Sequence, residues 1–532
     1  MNGVIENPVL PGFHPDPSFL RVGDDYYIAT STFEWFPGVR IHHSRDLVHW
    51  RLIGHALTRR SQVDLRGVVD SGGVWAPSLS YADGMFWLVY TNVRTRVGNF
   101  KDVGVFLATA PDILGPWSEP TYLNGIGFDP SLFHDDDGRK WIVNMIWDYR
   151  NDHGRFGGIV VQEYDHAQRR LVGPMTNILA KPVLTEGPNL YKRDGWYYLM
   201  LAEGGTDWNH GISMARSRVI IGPYELDPQS SVLTSRDDPS LALQKAGHGE
   251  LVETPHGEWY LAHLASRPVG PQRRCVLGRE TCLQRVVWSD DGWLRLAHGG
   301  FHPATQVPAP VATPPHPWPA DPTRDDFNSG VLGPQWCTLR GPVEESWATL
   351  RERPGWLRLR GRESVYSLFD QSLIARRLTT VNCIAETCVE FSPEHFTRSA
   401  GLVCWYDTRT HFYLRITHDE TLGRVLGIVL TDDGVYDELA AGQLAVGDWT
   451  RAFLRATLAR EKLQFSASPD AAAWRDIGPV LDASKLSDDY GAGLHFTGAF
   501  VGVAAQDLGG ARIAADFDYF SLASIPVPDR GA

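Results

Sequence analysis

Three carboxylates, one histidine and one tryptophan recur at matching places in a repeat that runs through the first half of the chain. The repeat has a small or proline-containing entry, an apolar strand, a polar Gly/Asp turn and an aromatic-rich strand. Its five copies are HPDPSFLRVGDDYYIATS from His14, VWAPSLSYADGMFWLVYT from Val74, FDPSLFHDDDGRKWIVNM from Phe128, EGPNLYKRDGWYYLMLAE from Glu186 and GHGELVETPHGEWYLAHL from Gly247. Pro17, Pro77, Pro130 and Pro188 align, with Gly249 in the fifth copy. One residue before them stand Asp16, Ala76, Asp129, Gly187 and His248; one residue earlier again are Trp75, Phe128 and Glu186.

A lone Asp-Pro is a common turn and means little. Carboxylates at equivalent or adjacent positions of several repeats mean more, because a structural role would favour the same residue in every copy. If the copies are arranged around an axis, these side chains converge on it. Two carboxylates across a pocket suit general acid–base chemistry, glycoside hydrolysis in particular: one is protonated and assists the leaving oxygen, the other activates water or attacks carbon. A third nearby raises its neighbour's proton affinity by like-charge repulsion.

The elements that must position them follow from the repeat. Each copy reads as a β-hairpin whose turn contains Gly23, Gly84, Gly138, Gly195 or Gly257. The aligned prolines mark where each first strand begins, since proline cannot donate to a ladder. The copies are spaced widely enough for four-stranded blades, which predicts an all-β five-bladed β-propeller over residues 1–301. Residues 302–322 hold eight of the 35 prolines, so 302–325 read as an extended linker. Segments such as RAFLRATLAREKLQFSASPD then alternate like half-buried strands. They predict a β-sandwich, concanavalin- or jelly-roll-like, over about 326–525.

Composition excludes some classes. The net charge of −13 without a basic run argues against nucleic acid. No apolar stretch reaches the ~20 residues of a membrane-spanning helix. With no secretory leader at MNGVIENPVLPGF, a cytoplasmic location is expected. The six cysteines form no CxxC pair and read as buried thiols. HDDDG at 134–138 has the wrong spacing for a calcium loop and reads as a hairpin turn; His42 and His43 read as strand residues. No nucleophile elbow, phosphate loop or dinucleotide fingerprint is present.

The stretches NPVLPGFHPDPS, YYIATSTFEWFPGV, SGGVWAPSLSY, GFDPSLF, TEGPNLY, CVLGRETCLQRV, FTGAFVGVAAQDL and ADFDYF together resemble glycoside hydrolase family 43, specifically its two-domain β-xylosidases. That resemblance implies Asp16 as general base, Glu186 as general acid and Asp129 as the carboxylate that tunes the acid. It implies Arg279 as a binder of sugar hydroxyls, with Phe33, Trp75 and Trp147 as pocket walls and Thr206 and Ala76 as lesser contacts. Phe496, with Phe500 as runner-up, resembles an aromatic contributed by the second domain, which in relatives helps close the site. His248 resembles the axial histidine beside a hydrated ion, so a calcium ion in the channel is expected, with no cofactor needed for the chemistry. One departure is His14, where many relatives have Asn.

The family is inverting. The expected activity is release of xylose from the non-reducing end of β-1,4-xylo-oligosaccharides, by a homo-oligomer (tetramer or dimer) that binds neither nucleic acid nor membrane. Two alternatives stand beside it. One is α-L-arabinofuranosidase activity, alone or together with xylosidase activity; the other is a non-catalytic carbohydrate-binding propeller.

Overall fold

A computed structural model describes residues 3–96 and 98–526. The chain divides into two compact units. One comprises the residues up to Arg267 together with Arg279–Trp318; the other comprises Pro268–Gly278 together with the residues from Pro319 on.

The first unit is a five-bladed propeller, each blade an antiparallel meander. Blade one is Ser18–Val22, Asp25–Thr30, Gly38–Ser44 and Arg51–Leu57; blade two is Gly73–Ala82, Met85–Thr95, Asp102–Ala110 and Thr121–Asn124. Blade three is Ser131–His134, Lys140–Trp147, Phe156–Asp165 and Arg170–Leu179. Blade four is Thr185–Arg193, Trp196–Glu203, Gly211–Ser217 and Glu225–Leu226, and blade five is Gln244–Glu253, Trp259–Ser266, Glu280–Trp288 and Leu294–Leu296. The first strands meet their neighbours around the ring, and that of blade five returns to that of blade one.

Strand alternation explains why the blades stack. Along Met85–Thr95, Leu88 and Tyr90 join the apolar cluster shared with blade one, while Trp87 and Val89 join that shared with blade three. Successive side chains point to opposite faces of a strand, so a blade buried on both faces is apolar at consecutive positions. Blade five repeats this: Leu251 and Leu261 face blade four, Val252 and Tyr260 face blade one.

Polar bonds close the ring. Glu250 of blade five accepts from Ser18 Oγ (2.9 Å) and from the Phe19 N–H of blade one. Asn7 donates to the carbonyls of Leu283 and Ala304 (2.7 and 2.9 Å), tying the N-terminal segment to blade five. Val4–Glu6 pairs antiparallel with Gln306–Pro308. Farther along the proline-rich stretch, the Arg51 guanidinium lies 3.7 Å from the centre of the Trp318 ring.

The prolines differ in part from the sequence expectation. Pro17 and Pro130 directly precede their strands. In blades two and four the first strands start earlier, at Gly73 and Thr185, and Pro77 and Pro188 fall at register slips between Trp75 and Ser78 and between Glu186 and Asn189. A bulge leaves one residue unpaired, so a proline without an N–H costs no ladder bond there.

The second unit is a sandwich of two antiparallel sheets. One runs Ala348–Thr349, Leu357–Arg360, Ala514–Ser524, Asn382–Glu390, Ala452–Ala459, Lys462–Ser468, Arg475–Asp482. The other includes, in order, Val435–Glu438, Gly423–Asp432, His411–Asp419, Arg398–Trp405, Phe500–Asp507, Ser372–Arg377, Cys337–Leu339. Both contribute to one apolar core that includes Ala385, Leu402, Leu414, Leu454, Phe465, Val503 and Phe517. The strict in–out alternation along Ala452–Ala459 is the period expected of such a sheet. Val276 and Leu277 belong to this core, and the Ala499 N–H donates to the Val276 carbonyl (2.9 Å). The connection between the second and third strands of blade five is thus part of the sandwich.

His42 and His43 lie in the strand Gly38–Ser44. Asp135 sits in a hairpin turn and accepts from Lys192 Nζ (2.5 Å) and Tyr197 Oη (2.8 Å). All six cysteines are buried, and none forms a disulfide.

Candidate active site

The five axial positions share one backbone state. Asp16, Ala76, Asp129, Gly187 and His248 have φ of +52°, +31°, +53°, +53° and +46°. Left-handed backbone is uncommon for residues other than glycine and costs free energy, so it persists only where the surroundings enforce it. Here it turns each chain sharply at its blade entry. Asp129, Gly187 and His248 line one small axial cavity. At Gly187 a Cβ would stand 3.0 Å from the His248 ring, so glycine fits on space as well as on φ.

Asp16 is held on both oxygens. Arg279 Nη1 donates to Oδ1 (2.7 Å) and Ser31 Oγ to Oδ2 (2.6 Å). Ser31 Oγ accepts in turn from the Ala76 N–H (2.7 Å), and the Ser31 N–H donates to the Pro15 carbonyl (3.2 Å). Arg279 opens the third strand of blade five. Its carbonyl accepts from the His14 N–H (2.9 Å), and its guanidinium also reaches Thr206 Oγ1 (3.0 Å). Both Asp16 oxygens thus accept from fixed donors, one of them a guanidinium, which holds the carboxylate in a single orientation.

Asp129 and Glu186 have poorer company. Asp129 accepts from the Gly187 N–H (3.2 Å), next to Glu186, and His248 Nδ1 lies 4.0 Å from Asp129 and 3.8 Å from Asp16. Burial, followed by the charges of Glu186 and Asp16, pushes Asp129 well above the usual carboxylate range. Burial and the Asp16 charge push Glu186 up to about 7, against the opposing pull of Lys101 and Arg279. Glu186 therefore keeps its proton on about half of the molecules at neutral pH. Burial holds His248 below the ordinary imidazole value, with Arg279 acting the same way and Asp16 opposing it. His248 is a neutral ring at the hub.

Aromatic rings wall the acid side. Phe33 and Trp75 are 5.9 Å apart, Trp75 and Phe128 5.4 Å, Phe128 and Trp147 5.9 Å. Phe33 itself has φ +55°, fixed by reciprocal backbone bonds with Val74 (3.0 Å each), and the Arg279 guanidinium lies 5.4 Å from its ring centre. Trp147 donates Nε1–H to the Asn99 carbonyl (2.8 Å). Lys101 Nζ stands 4.3 Å from the Trp147 ring centre and 5.7 Å from that of Trp75; burial lowers it to about 8.

The propeller thus brings together Asp16, Asp129, Glu186, His248, Arg279, Thr206, Ala76, Phe33, Trp75 and Trp147. Phe496 belongs to the second unit, one residue before Thr497, whose carbonyl lies where a Cβ on Gly278 would stand (2.5 Å). Sequence reasoning missed Ser31, Lys101 and the wall residue Phe128 in their roles. Ser31 ends the repeat's aromatic strand and Lys101 follows a connection, so no motif marks either.

The channel does not present a ready cage for calcium. Such an ion takes six to eight oxygens, and among the described residues no three of His, Cys, Asp and Glu converge there; the one such group is Cys275, Asp488 and Asp489 in the sandwich. Burial raises the Glu250 carboxyl to about 8, which removes a charge a cation would need.

A family profile for Glycosyl hydrolases family 43 matches residues 5–294, more than half the chain. The chain belongs to glycoside hydrolase family 43. A second profile, Beta xylosidase C-terminal Concanavalin A-like domain, matches residues 324–523. The chain is similar to Xylosidase/arabinosidase 43B of Humicola insolens, 48% identical over 98% of each chain, and to Xylan 1,3-beta-xylosidase of a Vibrio species, 46% identical over 98% of this chain and 99% of that one. It is also similar to the crystal structure of xylan beta-1,4-xylosidase from Bacillus halodurans C-125. That structure gives a TM-score of 0.96 at 54% identity, covering 98% of this chain and all of the other. This family 43 chain is a glycoside hydrolase of the xylosidase type.

Proposed function

We propose that the protein releases xylose from the non-reducing end of β-1,4-xylo-oligosaccharides in one inverting displacement, with Asp16 as base and Glu186 as acid. The observation that carries the assignment is the inequality of the two groups. Asp16 accepts from Arg279 and Ser31, while the Glu186 carboxyl is raised to about 7 and so is still substantially protonated at neutral pH.

Asp16 takes a proton from water as that water's oxygen bonds to the anomeric carbon. The bond from that carbon to the glycosidic oxygen breaks, and the oxygen leaves with the proton from Glu186. Asp129 acts as a positioning residue: it grips the Gly187 N–H beside the acid, while the charge of Asp16 disfavours ionisation of Glu186. Arg279 and Thr206 meet sugar hydroxyls; Phe33, Trp75 and Trp147 bound the ring, and Ala76 acts through its N–H on Ser31. Inverting enzymes keep their carboxyl groups about 6.5–9.5 Å apart to admit water. Proton NMR of the first product from an aryl β-xyloside tests the mechanism: α-xylose is expected, and β-xylose would rule out a single displacement.

The name of the Humicola insolens relative, Xylosidase/arabinosidase 43B, favours a second reading, activity on α-L-arabinofuranosides as well. Comparing rates on aryl xyloside and aryl arabinofuranoside separates the two. Six buried cysteines outside any disulfide support a reducing compartment such as the cytoplasm. Among the described residues no helix is long and apolar enough to cross a membrane. A homo-oligomeric state rests on the family resemblance alone, and light scattering tests it.

A further inference from the structure

Arg279 holds Asp16 from an awkward place in the chain. It is the first propeller residue after the excursion Pro268–Gly278. The ladder between Trp259–Ser266 and Glu280–Trp288 has its last pair at Ala265 and Glu280. Arg279 thus stands one residue beyond the ladder, where strands fray most easily, yet its guanidinium meets Asp16 at 2.7 Å.

Glu280, next in the chain, supplies the tie. Its buried carboxylate accepts from Arg267 Nε at Oε2 (2.7 Å) and from Arg267 Nη2 at Oε1 (2.8 Å), a fork that fixes orientation as well as distance. Arg267 is the last propeller residue before the excursion, so the fork joins its two ends. Oε1 also accepts from the N–H of Gly12 (2.7 Å), which has φ +85° in the loop that leads into Asp16. The neighbours of Glu280 grip the same loop. The Arg279 carbonyl accepts from the His14 N–H (2.9 Å), Thr281 Oγ1 donates to the His14 carbonyl (2.6 Å), and Leu10 and Thr281 exchange backbone bonds (3.2 and 3.3 Å). The base and the arginine that pairs with it are thereby carried on one hydrogen-bonded body.

A buried ion pair is weak evidence for stability, because desolvation offsets the attraction. Burial does raise the Glu280 carboxyl above its ordinary value, against the pull of Arg267 and the Gly12 N–H. What the pair fixes is place. We propose that Glu280 and Arg267 are positioning residues for the reaction: their fork sets Arg279 and, through Gly12, the loop that carries Asp16. This rests on the reading of Asp16 as the base.

The test is steady-state kinetics on an aryl xyloside and xylobiose, well below each melting midpoint. The proteins are the full chain, Arg267→Met, Glu280→Gln, Arg279→Lys, the double variant Arg267→Met with Arg279→Lys, and Asp16→Asn. The Arg267 side chain is 39% exposed, so Arg267→Met decides the matter even where Glu280→Gln fails to fold. Misplacing the pair should lower kcat about 10-fold on both substrates, with KM held within about threefold. The double variant should fall no further than Arg279→Lys, within about twofold, because both changes act through one contact. A lower melting midpoint with kcat unchanged, or losses that multiply in the double variant, would make the fork a structural tie alone and overturn the proposal. If Asp16→Asn leaves turnover intact, the base reading fails and the proposal falls with it.

Discussion

Asp16 and the pair Glu186–Asp129 occupy the same ring, yet their surroundings differ in kind. Asp16 has an arginine on one oxygen and a hydroxyl on the other. Asp129 has one backbone N–H at 3.2 Å, and Glu186 has only the more distant charges of Lys101 and Arg279 to oppose burial. The repeat supplies the same left-handed entry to each blade, so the backbone does not make the difference. The residues that reach in from neighbouring strands do. A symmetric scaffold becomes an acid–base site because its partners are asymmetric: the cation goes to one carboxylate and is withheld from the others.

Breaking the Asp16 side should have the largest effect. Asp16→Asn keeps the size but removes the base. Turnover of every substrate should fall on the order of 10⁴-fold, the upper range for general acid–base catalysis; kinetics on aryl xyloside and xylobiose check this. Arg279→Lys comes next. It keeps a charge but loses the guanidinium Nη1 that donates to Asp16 and Thr206 together. Charge-assisted bonds are worth roughly 1.5–3 kcal/mol, so kcat/KM should fall about 100-fold, with parallel losses on xylosides of any leaving group.

A smaller effect should come from Gly187→Ala. The new Cβ meets the His248 ring at 3.0 Å in a backbone state that disfavours alanine. Thermal melting should show lower stability by about 1–3 kcal/mol. The smallest should come from Lys101→Met. Lys101 holds the Glu186 carboxyl down, so removing its charge raises that group further. Activity on natural substrates needs the protonated acid and is lost as pH rises through about 7; in the variant that alkaline limb should move upward by up to about one unit. A shift downward would contradict the electrostatic account.

Much of this was legible in the sequence because the repeat is. Five matching entries, four with a proline and the fifth with Gly249, place Asp16, Asp129, Glu186 and His248 together in the sequence alone, and strand periodicity indicates a sandwich. Other features come from packing. Ser31 closes onto Asp16 because a hairpin's second strand ends beside the entry of its first. Lys101 arrives from the connection between two strands of blade two. The segment Pro268–Gly278 is interrupted propeller sequence, yet Val276 and Leu277 are buried in the sandwich core. Strand starts at Gly73 and Thr185 were hidden because a proline at a bulge looks the same, in sequence, as a proline before a strand.

The central claim is that Glu186 gives the proton and Asp16 does not. Comparing Glu186→Gln on an activated aryl xyloside and on xylobiose tests it most directly. A good leaving group departs without a proton, so the activated substrate should lose less than about 10-fold, while xylobiose should lose about 10³-fold. The alkaline limb near 7 should vanish with the carboxyl. Equal loss on both substrates, or a limb that persists in the variant, would contradict the assignment.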